Sequence, residues 1–405
     1  MGGIFYSILS VVLPSIFQLI YLSFSAHRIG REDFGSYAFL LLLITSFTQF
    51  SMAIPLQAYL RFYNSASSKE NFKNSYRLVA IYLSALGACY TLLLAFIYGD
   101  RFSAATYLSI AISIYLICNF SIECQSLLLS LQRKKYFSIK IVESLAKFVF
   151  PILFYIMSED PDFLIFGYLS GYLICNLPFL NIKSILRTKI RIEEFKEQFF
   201  YAYPIIFSTI SSMIISFSDR FFIDIFLPKS SLGEYTLMYQ FSSFAQVIGV
   251  LFSIIIVPNI MKEFEEDMYK TITKLNRVVI VIFIFLTIFV FSLCIVPSNV
   301  YELILSDIVL SKEGFIIFIV ISSGIMLAVF QTVIGLYFVL VRKLEIHAKL
   351  FFFSAILNFL LNFYIEEYGL LAAALSTFAS YLIMTVLAAV WLNFNLKESL
   401  EKLRM

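Results

Sequence analysis

The sequence predicts an all-α polytopic membrane protein: twelve transmembrane helices in two six-helix lobes, with both termini cytoplasmic. Three observations point there. Apolar residues make up 60% of the 405-residue chain and charged residues only 14%, against about 45–50% and 25% in soluble domains. Apolar runs follow one another at lengths that cross a ~30 Å hydrocarbon core, which takes about 20 helical residues. Lysine and arginine alternate between rich and poor loops along the chain.

Windows of about 19 residues delimit the segments in order. The first six are Ile4–Ala26, Tyr37–Leu60, Leu78–Gly99, Ala104–Leu131, Ile139–Met157 and Phe163–Ile182. After a basic loop come Tyr203–Leu227, Tyr235–Met261, Val278–Pro297, Phe315–Val341, Leu350–Ile365 and Gly369–Asn393, the eleventh being short. Prolines in or near these runs (Pro14, Pro55, Pro151, Pro178, Pro204, Pro258) remove backbone hydrogen bonds and allow bends. Even-numbered loops and the C-terminal tail hold 23 of the 30 basic residues; odd-numbered loops hold Arg28, Arg31, Arg101, Lys229 and Lys312. By the positive-inside rule the even loops and both termini face the cytoplasm. The external loops are then short, about 17 residues at most (Ser298–Gly314). Too little outer-face protein remains for a polymerase, ligase or glycosyltransferase site.

A net charge of +3, widely dispersed, argues against a nucleic-acid partner. The five cysteines lie in apolar runs without CxxC spacing, and two histidines near segment ends offer little to a metal, so no cofactor is expected.

The halves repeat. Phe154–Tyr155–Ile156 and Tyr172–Leu173–Ile174 recur as Phe363–Tyr364–Ile365 and Tyr381–Leu382–Ile383 at a constant offset of 209. Gly35 and Tyr37 recur as Gly233 and Tyr235 at offset 198, and Pro14–x–x–Phe17 as Pro204–x–x–Phe207. Such a pattern predicts parallel six-helix repeats: residues 1–182, a cytoplasmic linker 183–200, and residues 201–405.

Charges inside the spans are the candidate site, because an ionisable group there costs at least ~2.5–3.5 kcal/mol to insert and usually faces a cavity or a partner. Segment seven carries Asp219, Arg220 and Asp224; segment five carries Lys147 with Glu143 one turn before it; segment four carries Glu123. For Asp219/Arg220 and for Glu143/Lys147 the alternative is a pair that only packs helices. Arg28, Arg61 and Asp224 lie near segment ends, where interface anchoring is an equal reading. Asn358 and Asn362 share a face at i,i+4 and suggest a polar wall, although such amides are more often helix–helix glue.

Three stretches resemble one family. Gly30–Arg31–Glu32–Asp33–Phe34–Gly35–Ser36–Tyr37 resembles the G-x-x-x-[FY]-G-x-Y turn into the second helix of Wzx-type polysaccharide flippases. Ser218–Asp219–Arg220 with Leu232–Gly233–Glu234–Tyr235 resembles the opening of their second half. Asn358–x–x–x–Asn362 with Tyr368–Gly369 and Ala372–Ala373–Ala374–x–Ser376–Thr377 resembles their eleventh-to-twelfth-helix signature, with alanine in place of a usual glycine and Glu366–Glu367 where proline often stands. The resemblance implies a MATE-like fold of the multidrug/oligosaccharidyl-lipid/polysaccharide exporter (MOP) superfamily, with two lobes around a central cavity in a bacterial inner membrane. It implies an undecaprenyl-pyrophosphate-linked O-antigen repeat unit as substrate, with an O-antigen polymerase and a chain-length regulator as partners. Arg220, and less securely Arg28, would meet the pyrophosphate. Lys147 is a second fixed cation for it, and Glu123 or Asp219 would take H+ or Na+ to reset the cycle. A drug or metabolite antiporter of the same fold and a non-transporting component of polysaccharide assembly are the alternatives.

Overall fold

A computed structural model describes residues 2–63, 66, 68–98, 101–179, 188, 192–202 and 205–404. Residues 183–187 and 189–191 of the expected linker 183–200, and Pro204, lie outside the described residues. The described chain is helical, with no strand among the described residues: α1 (Gly2–Arg28), α2 (Arg31–Phe62), α3 (Lys69–Tyr98), α4 (Ala104–Leu129), α5 (Arg133–Ser158), α6 (Asp162–Phe179), α7 (Ile192–Ala202), α8 (Ile205–Phe226), α9 (Lys229–Ile256, continued by Val257–Glu266), α10 (Met268–Leu293), α11 (Ser298–Leu305), α12 (Lys312–Leu340), α13 (Leu344–Leu361) and α14 (Ile365–Arg404).

Eleven helices among the described residues are long and apolar enough to cross a membrane, and ten correspond one to one with the first ten expected segments. The difference from twelve lies in the last stretch, where Leu344–Glu398 runs as a single 55-residue apolar helix. At ~1.5 Å per residue that is about 80 Å, well over twice a bilayer core. The stretch breaks at Gly369, with φ +61° and ψ −146°, a region essentially restricted to glycine. Expected segments eleven and twelve meet at that residue.

Helix ends also differ from the hydropathy reading. α3 begins at Lys69, nine residues before the apolar run, and α5 at Arg133. Hydropathy marks where the apolar run begins, whereas the helix's backbone hydrogen bonds continue past it. The expected external loop Ser298–Gly314 contains α11, which buries Tyr301 and Leu305.

The chain divides into two compact units: Met1–Tyr21 with Ser36–Met213, and Leu22–Gly35 with Ile214–Met405. In the first, α3 packs on α4, α4 on α6, and α6 on α5. In the second, α12 and α13 pack on α14, around the buried cluster Ile215, Leu327, Ala355 and Tyr381. Apolar side chains gain little by leaving lipid, so close van der Waals packing and polar links hold such helices together. A polar link recurs between the corresponding helices of the two units. Asn119 Nδ2 donates to Asn176 Oδ1 at 2.8 Å between α4 and α6, and Gln331 Nε2 donates to Thr385 Oγ1 at 2.6 Å between α12 and α14. Asn176 and Thr385 are 209 residues apart.

The glycines that open the two repeats meet within the second unit. A Cβ on Gly35 would stand 2.1 Å from the Lys229 carbonyl oxygen, and one on Gly233 2.3 Å from that of Arg31. Glycine is the residue that lets these backbones touch. Beside the crossing, Arg31 Nη1 bonds Glu234 Oε1 at 2.6 Å and its Nη2 bonds Asp307, past the end of α11. That bond holds the Asp307 carboxyl below the usual aspartate range.

Candidate functional site

In the first unit the site is built on a distorted stretch of α5. Pro151 has no N–H, so the carbonyl of Lys147 loses its usual i+4 donor. The helix widens into a π turn over Leu145–Val149, closed by Phe150 N–H donating to the Leu145 carbonyl. Such turns are uncommon and often mark functional sites. α6 presses against this turn through Gly167 and Gly171, whose Cβ atoms would lie 2.6 Å from the Phe150 oxygen and from Ala146. The close approach brings the Tyr172 hydroxyl within 3.3 Å of Glu143 Oε1 and the Tyr172 ring within 6.0 Å of Lys147 Nζ. Glu143 is buried and sits between two cations, Lys147 at 2.8 Å and Lys140 at 2.6 Å. The expected Glu143/Lys147 pair is therefore present, with Lys140, at the start of segment five, as a third member.

Glu123, on α4, is also buried between two cations. Arg77 forms a salt bridge with it and Lys73 Nζ lies 3.6 Å from its Oε1. Arg77 is 5% exposed, and sequence reasoning missed it by placing it in the loop before segment three. Had α3 been started at Lys69, Lys73 and Arg77 would have shared a face at i,i+4. The Arg77 Nε has no hydrogen-bond partner among the described residues.

In the second unit, Asp219 and Arg220 part company. The Asp219 carboxylate is wholly buried and accepts from the Tyr235 hydroxyl at 2.6 Å, the Thr377 hydroxyl at 3.4 Å and the Arg220 backbone N–H at 2.8 Å. The half-buried Arg220 guanidinium lies over the Tyr239 ring, 3.9 Å from its centroid. No salt bridge joins it to a carboxylate among the described residues, and its Nε is without a hydrogen-bond partner. The two side chains considered as a pair thus form no salt bridge, although the charge of Arg220 still acts on Asp219. At the repeat-related positions of the first unit stand Tyr21, Tyr37 and Tyr168 in place of Asp219, Tyr235 and Thr377, and they too lie together.

Asn358 and Asn362 correct the polar-wall expectation. Both are fully buried. Ser218 Oγ donates to Asn358 Oδ1 at 2.8 Å, Asn362 Nδ2 donates to Ser218 Oγ at 2.7 Å, and Ser376 Oγ donates to Asn362 Oδ1 at 2.5 Å. Their shared face turns inward, tying α8, α13 and α14 together beside Asp219. Arg28 is exposed at the end of α1, Arg61 is exposed with its guanidinium 5.9 Å from the Tyr201 ring, and Asp224 is half-buried one turn beyond Arg220.

The described chain is thus a multi-pass, all-helical membrane protein with charged side chains fixed inside its spans. The chain is similar to the lipid II flippase MurJ in an inward closed conformation, with 17% identity, 96% of this chain and 87% of that one covered, and a TM-score of 0.73. An inward-facing multidrug resistance MATE family transporter of the MOP superfamily aligns at 12% identity over 98% and 99%, TM-score 0.76. A MOP superfamily transporter from Pyrococcus furiosus aligns at 12% over 98% and 96%, TM-score 0.61. At these identities the likeness establishes the fold of MOP transporters. A family model described as "Polysaccharide biosynthesis protein" matches residues 1–264, and the chain belongs to that family. No curated protein matches it.

Proposed function

We propose that the chain is a flippase that moves undecaprenyl-pyrophosphate-linked O-antigen, or related surface-polysaccharide, repeat units from the cytoplasmic to the periplasmic leaflet of a bacterial inner membrane. It works by alternating access, with twelve spans and both termini cytoplasmic. One observation carries the reading: Arg220, within a membrane-spanning helix, is held over an aromatic ring and makes no salt bridge with the carboxylate next to it among the described residues. A cation so placed suits a ligand that brings its own negative charge. Arginine presents a fork of N–H donors that matches phosphate oxygens. A diphosphate cannot cross hydrocarbon without such partners. Family membership and the fold shared with a lipid II flippase support the same substrate class.

Lys147, with 36% of its side chain exposed, is the first unit's contribution. Asp219 is the stronger coupling candidate for H+ or Na+, since it has no cationic side chain bonded to it, whereas Glu123 is bound by Arg77. A buried carboxylate without a salt bridge also favours the second reading, a cation-coupled drug or metabolite antiporter. Arg220 weighs against it, because it would repel a cationic substrate.

Replacing Arg220 by Gln, in a strain that depends on this gene for its surface polysaccharide, should abolish the polysaccharide while protein levels stay normal. Undiminished polysaccharide would refute the reading.

A further inference from the structure

We infer that the second unit holds a file of bound water along the inner face of α13, which carries protons from the α12–α13 turn to Asp219. The inference rests on the coupling role proposed for Asp219 and adds the route by which H+ reaches it. Three features support it.

Buried polar groups without partners fall in a line. His347 Nε2, Gln331 Oε1, Ser354 Oγ and Asn358 Nδ2 are each shut off from solvent and have no hydrogen-bond partner among the described residues. Such groups are ordinarily paired, with protein or with ordered water. Ser323, Ser380 and Thr385 turn their hydroxyls to the carbonyl four residues back, a bond that Ser354 does not make. His347, Ser354, Asn358 and Asn362 return to one side of α13, because spacings of 7, 11 and 15 residues are close to whole turns of about 3.6.

Contacts at both ends fix the order. At one end Ser376 of α14 donates to Asn362, and at the other the rings of His347 and Trp391 each lie 5.0 Å from that of Phe338 on α12. Fifteen residues separate the two levels on α13 and again on α14, about 22 Å of depth. Gly335 of α12 faces His347, so Gln331, one turn further in, lies ~6 Å deeper than His347, and Ser354 ~10 Å deeper. Asn358 follows ~6 Å beyond Ser354. Steps of ~4–6 Å are what one water spans with a hydrogen bond of ~2.8 Å on either side.

The chemistry and the entrance suit water. Asn358 Nδ2 only donates, Gln331 Oε1 only accepts, and Ser354 and His347 can do either; water serves all four. A Cβ on Gly335 would meet His347 Cε1 at 3.3 Å and Nε2 at 3.5 Å, and no other atom within 4 Å among the described residues beyond its own helix turn. The glycine thus leaves a methyl-sized space at the imidazole. Arg342, Lys343, Glu345 and Lys349 beside it are exposed, so solvent reaches this end. At the deep end Ser218 Oγ, bonded to Asn358, is followed in the chain by Asp219, and Ser376 by Thr377, whose hydroxyl donates to Asp219 Oδ2 at 3.4 Å. The Tyr235 hydroxyl, and Arg220 through its backbone N–H and its charge, also face this carboxylate. Waters and hydroxyls each accept one proton while releasing another, and the amides hold the waters in place. One proton leaves solvent and one arrives on Asp219 through Thr377, which makes the carboxylate a neutral acid.

The test uses the full-length protein in vesicles, with H+ alone as the probe. A pH jump is followed by infrared difference spectroscopy, and the carboxyl band lost in Asp219→Asn reports protonation of Asp219. Gly335→Ala puts a methyl group at the imidazole, and Ser354→Val replaces the middle hydroxyl. Each should slow the rise of that band at least about tenfold with its final amplitude unchanged, as expected when one hydrogen-bonded step is removed. A merely structural role would not slow the rate and spare the end point. Ser354→Ala should not raise the unfolding temperature, because the hydroxyl is bonded to water; an unpaired hydroxyl would make that variant more stable. Unaltered rates in both variants, or a more stable Ser354→Ala, overturn the inference and leave coupling through Asp219 standing. Slowed rates, with transport in Asp219→Asn still responding to a pH gradient, would remove the coupling role and leave the water file. If no Asp219 band arises at any pH, H+ coupling and its route both fall, and the flippase reading stands.

Discussion

Adding one methyl group at the repeat-opening glycines is the sharpest structural perturbation available. In Gly35→Ala the new Cβ would stand 2.1 Å from a backbone oxygen of Lys229, and in Gly233→Ala 2.3 Å from that of Arg31. Real Cβ contacts essentially never fall under 3.0 Å. The first turn of α2 must therefore back away from α9 by about 1 Å, and the obstructing atoms are backbone that cannot rotate aside. Overpacking of this kind costs about 1–3 kcal/mol, and each single variant should lie in the upper half of that range. The same separation relieves both clashes, so the double variant should cost clearly less than the two singles together, a coupling of about 1 kcal/mol or more. Thermal unfolding of the purified protein in detergent, run as a double-mutant cycle, measures it. A Gly35→Ala variant as stable as wild type, or full additivity, would refute the reciprocal crossing.

Other expectations are as direct. Glu123→Ala strands the buried Arg77, and breaking one side of a buried ion pair costs about 3–5 kcal/mol; the amount of folded protein extracted from membranes should fall sharply, and an unchanged yield would contradict the burial. Asn362→Ala leaves the Ser218 and Ser376 hydroxyls short of a partner, a loss of about 1–3 kcal/mol visible in the same unfolding assay. Because the Arg31 bond depresses the folded-state pKa of Asp307, its stabilisation is present above the unfolded aspartate pKa of ~3.9 and is lost as pH falls through the lower folded value. Wild type and Asp307→Asn should therefore differ in unfolding temperature at neutral pH and converge only in strong acid; a difference independent of pH would contradict the pairing.

How much of this was legible depended on which physical signal each feature writes into the chain. Spans were readable because crossing hydrocarbon demands about 20 apolar residues whatever the neighbours are. Helix ends were not, since Lys69–Arg77 continues α3 outside the apolar run, and this hid the Arg77–Glu123 bond. The Glu143/Lys147 pair was readable from i,i+4 spacing, but its third member Lys140, the second residue of segment five, was counted with the basic residues of the preceding loop. For Asn358 and Asn362 the spacing gave the shared face correctly, yet periodicity does not say whether a polar face meets water or another helix; Ser218 and Ser376 decided it. The parting of Asp219 from Arg220 could not be read at all. Adjacent residues on a helix point about 100° apart, and the partners that draw them away, Tyr235, Thr377 and Tyr239, are distant in sequence or on another helix. Gly35 and Gly233 were visible as a repeat at offset 198, though not as residues that touch.

The central claim is movement of a diphosphate-linked oligosaccharide lipid between leaflets, and the direct measurement is made in vesicles. The purified protein is reconstituted with a fluorescent polyprenyl-diphosphate oligosaccharide in both leaflets, and a membrane-impermeant quencher reports the fraction reachable from outside. Wild type should make the inner pool reachable far faster than protein-free vesicles do, and Arg220→Gln should return the rate to the protein-free value. Transfer no faster than in protein-free vesicles, by a protein that moves an organic cation under an H+ or Na+ gradient, would contradict the account.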